Sequence, residues 1–153
     1  MFCRRLWALP LAAALSLCTQ TSATPAAPDP TPGGPNNYGS SVGVHVHRIA
    51  ESSYEGRDYI TAEITIEPAG STGWHRHDGT AIGVVKQGTL TRYSSDCSIS
   101  HVDQAGDQIT EPANDVHTGR NLGPTPVLLE LIYIKPAGMP LSQHMPNPGC
   151  PFD

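Results

Sequence analysis

From Val42 onward, glycine and proline interrupt the chain so often that no run of ten or more residues shows helical periodicity free of both. Proline lacks the amide a helix interior needs, and glycine is entropically costly there. A chain punctuated this way is confined to short strands joined by tight turns. Residues 60–67 (ITAEITIE) alternate apolar and polar, the period of a half-buried strand, and Pro68-Ala69-Gly70-Ser71 then reads as a turn. Residues 81–85 and 89–93 are β-rich pieces on either side of Lys86-Gln87-Gly88, a predicted hairpin. Residues 127–134 (VLLELIYI), between Pro126 and Pro136, are the most apolar run and predict a buried strand. The expected fold class is all-β: a single-domain antiparallel sandwich, jelly roll or barrel.

The first residues read as an address. Arg4 and Arg5 precede an apolar stretch at 6–17 (LWALPLAAALSL), shorter than the roughly 20 residues a membrane span needs. Thr21-Ser22-Ala23 offers a signal-peptidase site, so 1–23 is expected to be a signal peptide and the protein secreted or otherwise extracytoplasmic. A buried N-terminal helix is the bland alternative. Lipoprotein processing at Cys18 ranks second, because bulky Leu17 sits where a small residue is wanted.

Residues 24–41 hold five prolines, three glycines and a single aromatic, Tyr38. They bury too little apolar surface to offset their ordering entropy and read as a disordered spacer, leaving 42–153 as the folded domain. Cleavage after Ala23 removes Arg4 and Arg5, taking the net charge from −5 to −7, and removes Cys3 and Cys18. The two cysteines that remain in an exported chain, Cys97 and Cys150, predict one disulfide. In the chain-entropy model such a closure stabilises by about 4 kcal/mol. An acidic balance also disfavours nucleic acid as a partner.

Seven histidines remain to be sorted. His75-Arg76-His77 sets two imidazoles on one face of an extended segment, half of a site for a divalent transition metal. The spacing alone is weak, since His45-Val46-His47 repeats it with nothing suggestive nearby and both pairs could be surface histidines. His101 and His144 read as solvated. No phosphate loop, G-x-S-x-G elbow or C-x-x-C pair is present, so no organic cofactor or thiol nucleophile is indicated.

What sets His75 and His77 apart is their surroundings, which resemble the cupin superfamily, with its type-2 conserved barrel, in two motifs. The first is written G-x5-H-x-H-x3-E-x6-G; here Ala69, His75, His77, Ala81 and Gly88 fall at its positions. The second is G-x5-P-x-G-x2-H-x3-N; here Gly106, Pro112, Asn114, His117 and Asn121 fall at its positions, with seventeen residues between Gly88 and Gly106. The Ser71-Thr72-Gly73-Trp74-His75 run also resembles a group of small exported bacterial single-domain cupins.

The resemblance implies a small β-barrel or jelly roll whose metal ligands would be His75, His77 and His117. The cofactor would be one divalent transition metal, with Fe, Mn, Zn, Ni and Cu all open. The chemistry would be dioxygenase-like or another small-molecule reaction; the alternative is a module binding a small molecule or carbohydrate without chemistry.

Three departures stand out. Ala69 and Asn114 replace motif glycines, and Ala81 replaces the motif glutamate, normally the fourth ligand. A three-histidine site would keep the full +2 of the metal and favour an anionic small-molecule partner. Glu111 and Glu130 are substitute carboxylates whose plain reading is exposed strand residues. Trp74 would wall the pocket or pack in the core, Asn121 would serve structure, and a homodimer is a compatible assembly.

Overall fold

The computed structural model describes residues 40–153. The expected signal peptide at 1–23 and nearly all of the expected spacer at 24–41 lie outside the described residues. Ten strands follow in order: β1 (Val42–Tyr54), β2 (Arg57–Ser71), β3 (His75–Arg76), β4 (Thr80–Gln87), β5 (Thr89–Ser94), β6 (Ile99–Gln104), β7 (Gln108–Glu111), β8 (His117–Arg120), β9 (Val127–Pro136) and β10 (Gln143–His144). No helix occurs among the described residues.

The pairings are antiparallel and fall into two groups. One runs β1-β2-β9-β4-β7 and the other β6-β5-β8-β3-β10, with Ser71 on β2 paired to Arg120 on β8 as the seam. The result is a nearly closed antiparallel β-barrel, the all-β fold expected from the punctuation of the chain.

Alternation builds the core. On β2, Ile60, Ala62, Ile64 and Ile66 face inward; on β9, Val127, Leu129, Leu131 and Tyr133 do the same. Ala81, Val85, Leu90 and Ile109 complete this interior. Burying an aliphatic side chain of this size contributes about 1.5–3 kcal/mol, so this inner layer supplies most of the driving force for closure.

Three local expectations change. The apolar run at 127–134 is not buried on both faces: β9 alternates, leaving Ile132 41% exposed and Leu128 and Ile134 half-buried. A continuous apolar sequence cannot by itself report which face a sheet covers. The chain also does not turn away at Pro68. β2 runs through to Ser71 with an irregularity in which Val42 pairs with Ser71 and Val44 with Ile66, and Ala69 takes a positive φ of 62° there.

Lys86-Gln87-Gly88 is not a hairpin either, because β4 pairs with β7 and β9 whereas β5 pairs with β6 and β8. Gly88 is instead a corner where the chain passes between the two groups of strands. Its φ is +80°, and a Cβ there would lie 2.8 Å from the Pro126 carbonyl oxygen. A second, smaller cluster joins Trp74, Tyr93 and Cys150, with Phe152 packed against them. Cys97, in the β5–β6 turn, is disulfide-bonded to Cys150.

Candidate metal centre

Two strands and the turns that precede them set the histidines. His75 on β3 pairs directly with His117 on β8, and His77 lies two residues beyond His75 on the same face. The Ser71 hydroxyl accepts the Gly73 amide within the β2–β3 turn, and the Thr72 hydroxyl accepts the Gly119 amide at 2.8 Å, pinning that turn to β8. On the other side of the site, Asn114 takes a positive φ of 64° and its amide donates to the His77 carbonyl at 2.7 Å. Asparagine tolerates this backbone better than most residues, so the replacement of the motif glycine leaves the turn intact.

The structure brings His75, His77 and His117 together, with ring centroids 4.4–5.4 Å apart and all three side chains buried. It adds a fourth group, Glu111. One ligand-capable atom from each of the four lies within 4.8 Å of the others. Glu111 Oε2 is 3.1 Å from His77 Nε2, and Oε1 is 3.5 Å from His117 Nε2. Glu111 is therefore not the exposed strand residue its sequence suggested. The reason lies in β-sheet register: Glu111 on β7 is the cross-strand partner of Ala81 on β4, and directly opposed residues project to the same face with Cβ atoms about 4.5–5.5 Å apart. The carboxylate missing at position 81 enters from the neighbouring strand.

Glu130 behaves as the plain reading expects, 44% exposed with Lys86 at 3.6 Å. His45, His47, His101 and His144 are exposed. Trp74 packs in the cluster around the disulfide, its ring 6.2 Å from that of Phe152. Asn121 is structural: its side chain donates to the Ile66 and Thr125 carbonyls at 2.9 Å and accepts the Gly123 amide.

Each imidazole is oriented through Nδ1. His75 Nδ1 lies 2.8 Å from the Gly73 carbonyl oxygen, His77 Nδ1 2.7 Å from that of Leu141, and His117 Nδ1 3.0 Å from that of Asp115. A carbonyl only accepts, so Nδ1 carries the proton and Nε2 is the atom left to present a lone pair. The buried Nε2 atoms of His77 and His117 have no polar neighbour to satisfy them besides the Glu111 carboxylate. Buried polar atoms are rarely left so, and a cation would satisfy both. Three imidazoles with one carboxylate are a donor set suited to a divalent transition metal. The residues fit the ion.

The electrostatics are those of the cluster without an ion. Burial, reinforced by the charges of His117 and His77, pushes His75 down to about 3, which keeps it neutral. For Glu111 burial works against ionisation, but His117 and His77 beside it outweigh that and hold it well below its ordinary value. His117 is pushed down by burial and raised further by Glu111, ending above its ordinary value. The carboxylate is thus ionised and ready to bind. Beside the cluster, Ile64, Leu90, Leu129 and Leu131 wall a cavity that His75 and Glu111 also line, with room for a water-sized group.

The family model for the cupin domain matches residues 62–134. Among solved structures, an uncharacterised protein with a double-stranded β-helix domain from Klebsiella pneumoniae is 18% identical. The alignment covers 65% of this chain and 80% of that one, with a TM-score of 0.53. The polyketide cyclase RemF from Streptomyces resistomycificus is 14% identical over 71% of this chain and 77% of its own, with a TM-score of 0.54. A cupin-like protein from Thermotoga maritima is 19% identical over 68% and 77%, with a TM-score of 0.53. Comparison with curated proteins finds no match. Likenesses at these identities are likenesses of fold, and fold alone does not assign chemistry. With both motifs in place and the barrel built from them, residues 62–134 form a cupin domain.

Proposed function

We propose that this cupin holds one divalent transition metal through His75, His77, His117 and Glu111, and uses it to bind a small anionic molecule. The observation that carries the reading is the convergence of four buried ligand atoms, with every imidazole turned by a backbone carbonyl to present Nε2. A divalent ion there would keep a net charge of about +1 once Glu111 is counted, so attraction for an anion is weaker than Ala81 alone would imply but keeps its sign. A bound metal would polarise a carbonyl or lower the pKa of a bound water. The chain's own residues hold the ligands in place, line the adjoining cavity with aliphatic side chains, and keep His75 neutral. The protein is read as exported, which the Cys97–Cys150 bond and the N-terminal sequence both support.

Metal analysis of the full-length protein, secreted through its own N-terminal segment, tests the reading. A content near one ion per chain supports it, and a content below about 0.1 under metal-replete conditions overturns it, because a buried site of this kind should retain its ion. Oxygen uptake or turnover with small carboxylates would make the protein an enzyme. Thermal stabilisation by such molecules without turnover would make it a binding module.

A further inference from the structure

The three imidazoles are not held in the same way. His75 is oriented by Gly73 and His117 by Asp115, each two residues away, so those two carry their own orientation wherever their strands go. His77 is oriented by Leu141, 64 residues away, in the segment that follows β9. Nothing local to β3 supplies that carbonyl.

The segment that brings it is fastened at several points. β10 pairs with β3, Gln143 opposite Arg76 and His144 opposite His75. The Gln143 side chain accepts from Arg76 at 3.0 Å and donates to Asp78. The Met145 amide donates to the Trp74 carbonyl at 2.9 Å. Beyond it, Cys150 is bonded to Cys97, and Phe152 packs on Tyr93 and Trp74 beneath the Arg120 guanidinium. A two-residue strand on one edge is too short to hold itself in place, so the covalent bond and the aromatic cluster secure it.

We propose that residues 141–150 are a positioning strap of the metal centre: the Leu141 carbonyl fixes the ligating tautomer of His77, and the Cys97–Cys150 bond keeps that carbonyl in place. The inference rests on the metal-binding reading given above. It makes metal retention depend on the oxidation state of two cysteines remote in sequence from every ligand. A dithiol reductant would give two electrons and two protons to the cystine, leaving two thiols and becoming a cyclic disulfide itself, and the strap would loosen.

The test compares the full chain with C97S/C150S, serine being chosen so that no free thiol competes for metal. Zinc affinity is measured by chelator competition, with far-UV circular dichroism as the check on folding. Loss of the strap should weaken binding 10–100-fold, the range seen when a partner orienting a metal-bound histidine is removed. A second measurement needs no metal. In the metal-free protein, nitrogen chemical shifts should show His77 protonated at Nδ1 in the parent and exchanging between tautomers in the variant, while His75 and His117 are unchanged. A purely structural disulfide would not single out His77. Should C97S/C150S not fold, the folded parent, reduced and then alkylated at both thiols so that neither competes for metal, takes the same two measurements. Equal zinc affinity with an unchanged His77 tautomer overturns the strap. A parent that binds no zinc, but whose His77 tautomer responds to the variant, overturns the metal reading and leaves the strap standing.

Discussion

At the residue scale the decisive group is Glu111. Removing its charge while keeping its shape, in Glu111→Gln, should weaken metal binding by at least about tenfold, on the order of the 1.4 kcal/mol that a single modest ligand contact represents. A stronger check is the exchange Glu111→Ala with Ala81→Glu, which returns the carboxylate to its cross-strand partner. Zinc titration should show the single Glu111→Ala variant impaired and the double variant substantially recovered. An equal defect in both would mean that the paired position does not reach the same point.

A second residue-scale prediction concerns Asp58, whose carboxylate accepts from Lys135 at 2.7 Å, from Ser53 at 2.7 Å and from the Gly138 amide at 2.9 Å. The Lys135 hydrogen bond, then Ser53 and Gly138, hold it below the usual carboxylate range. A depressed folded-state pKa contributes stability that is complete above the unfolded value, about 4, and is lost as pH falls through it toward the folded value. Asp58→Asn should therefore lower the urea midpoint at pH 7, where Lys135 is left buried without its partner. The difference from the parent should shrink steadily below about pH 4. A constant difference from pH 7 to pH 2 would remove this account of the pair.

At the element scale, the strands were easier to foresee than their partners. Period-two alternation at 60–67 placed β2, but the hairpin expected at Lys86-Gln87-Gly88 is a corner, because local sequence specifies a tight backbone and not which strand the next segment meets. The same limit hid Glu111. Glu111 shares the inward face of β7 with Ile109, but its position opposite Ala81 follows only from the register of β7 on β4. Ala69 shows how an element tolerates an imperfect residue. Its positive φ places a Cβ where the backbone disfavours one, so Ala69→Gly should raise stability by about 1 kcal/mol, less the extra entropy glycine has when unfolded. Chemical denaturation with an unchanged m-value would register the gain; a loss would mean that Ala69 is not strained.

At the scale of the whole molecule, the barrel gathers groups from three separated stretches of chain into one site: 75–77, 111–117 and, through its carbonyl, Leu141. A ligand that binds only the assembled site stabilises the whole fold. At a hundredfold excess over Kd, metal should add about 2.7 kcal/mol, and for a domain near 100 residues this is a rise in Tm on the order of 10 °C. Scanning calorimetry with and without zinc, and again after removal by a chelator, checks it. No shift at saturating zinc would separate the site from the stability of the fold.

Proline and glycine spacing that no long helix survives already confined the chain to the all-β class. The three histidines were singled out by two motifs that resemble those of the cupin superfamily. Those are local properties: the alternation of a strand and the φ angles of its turns are written in consecutive residues. Only the folded chain puts Glu111 fourth in the cluster and brings the carbonyl orienting His77 from Leu141. Both depend on which strand lies beside which, and in what register. That choice is made by burial of the whole inner face at once, so no short stretch of residues contains it.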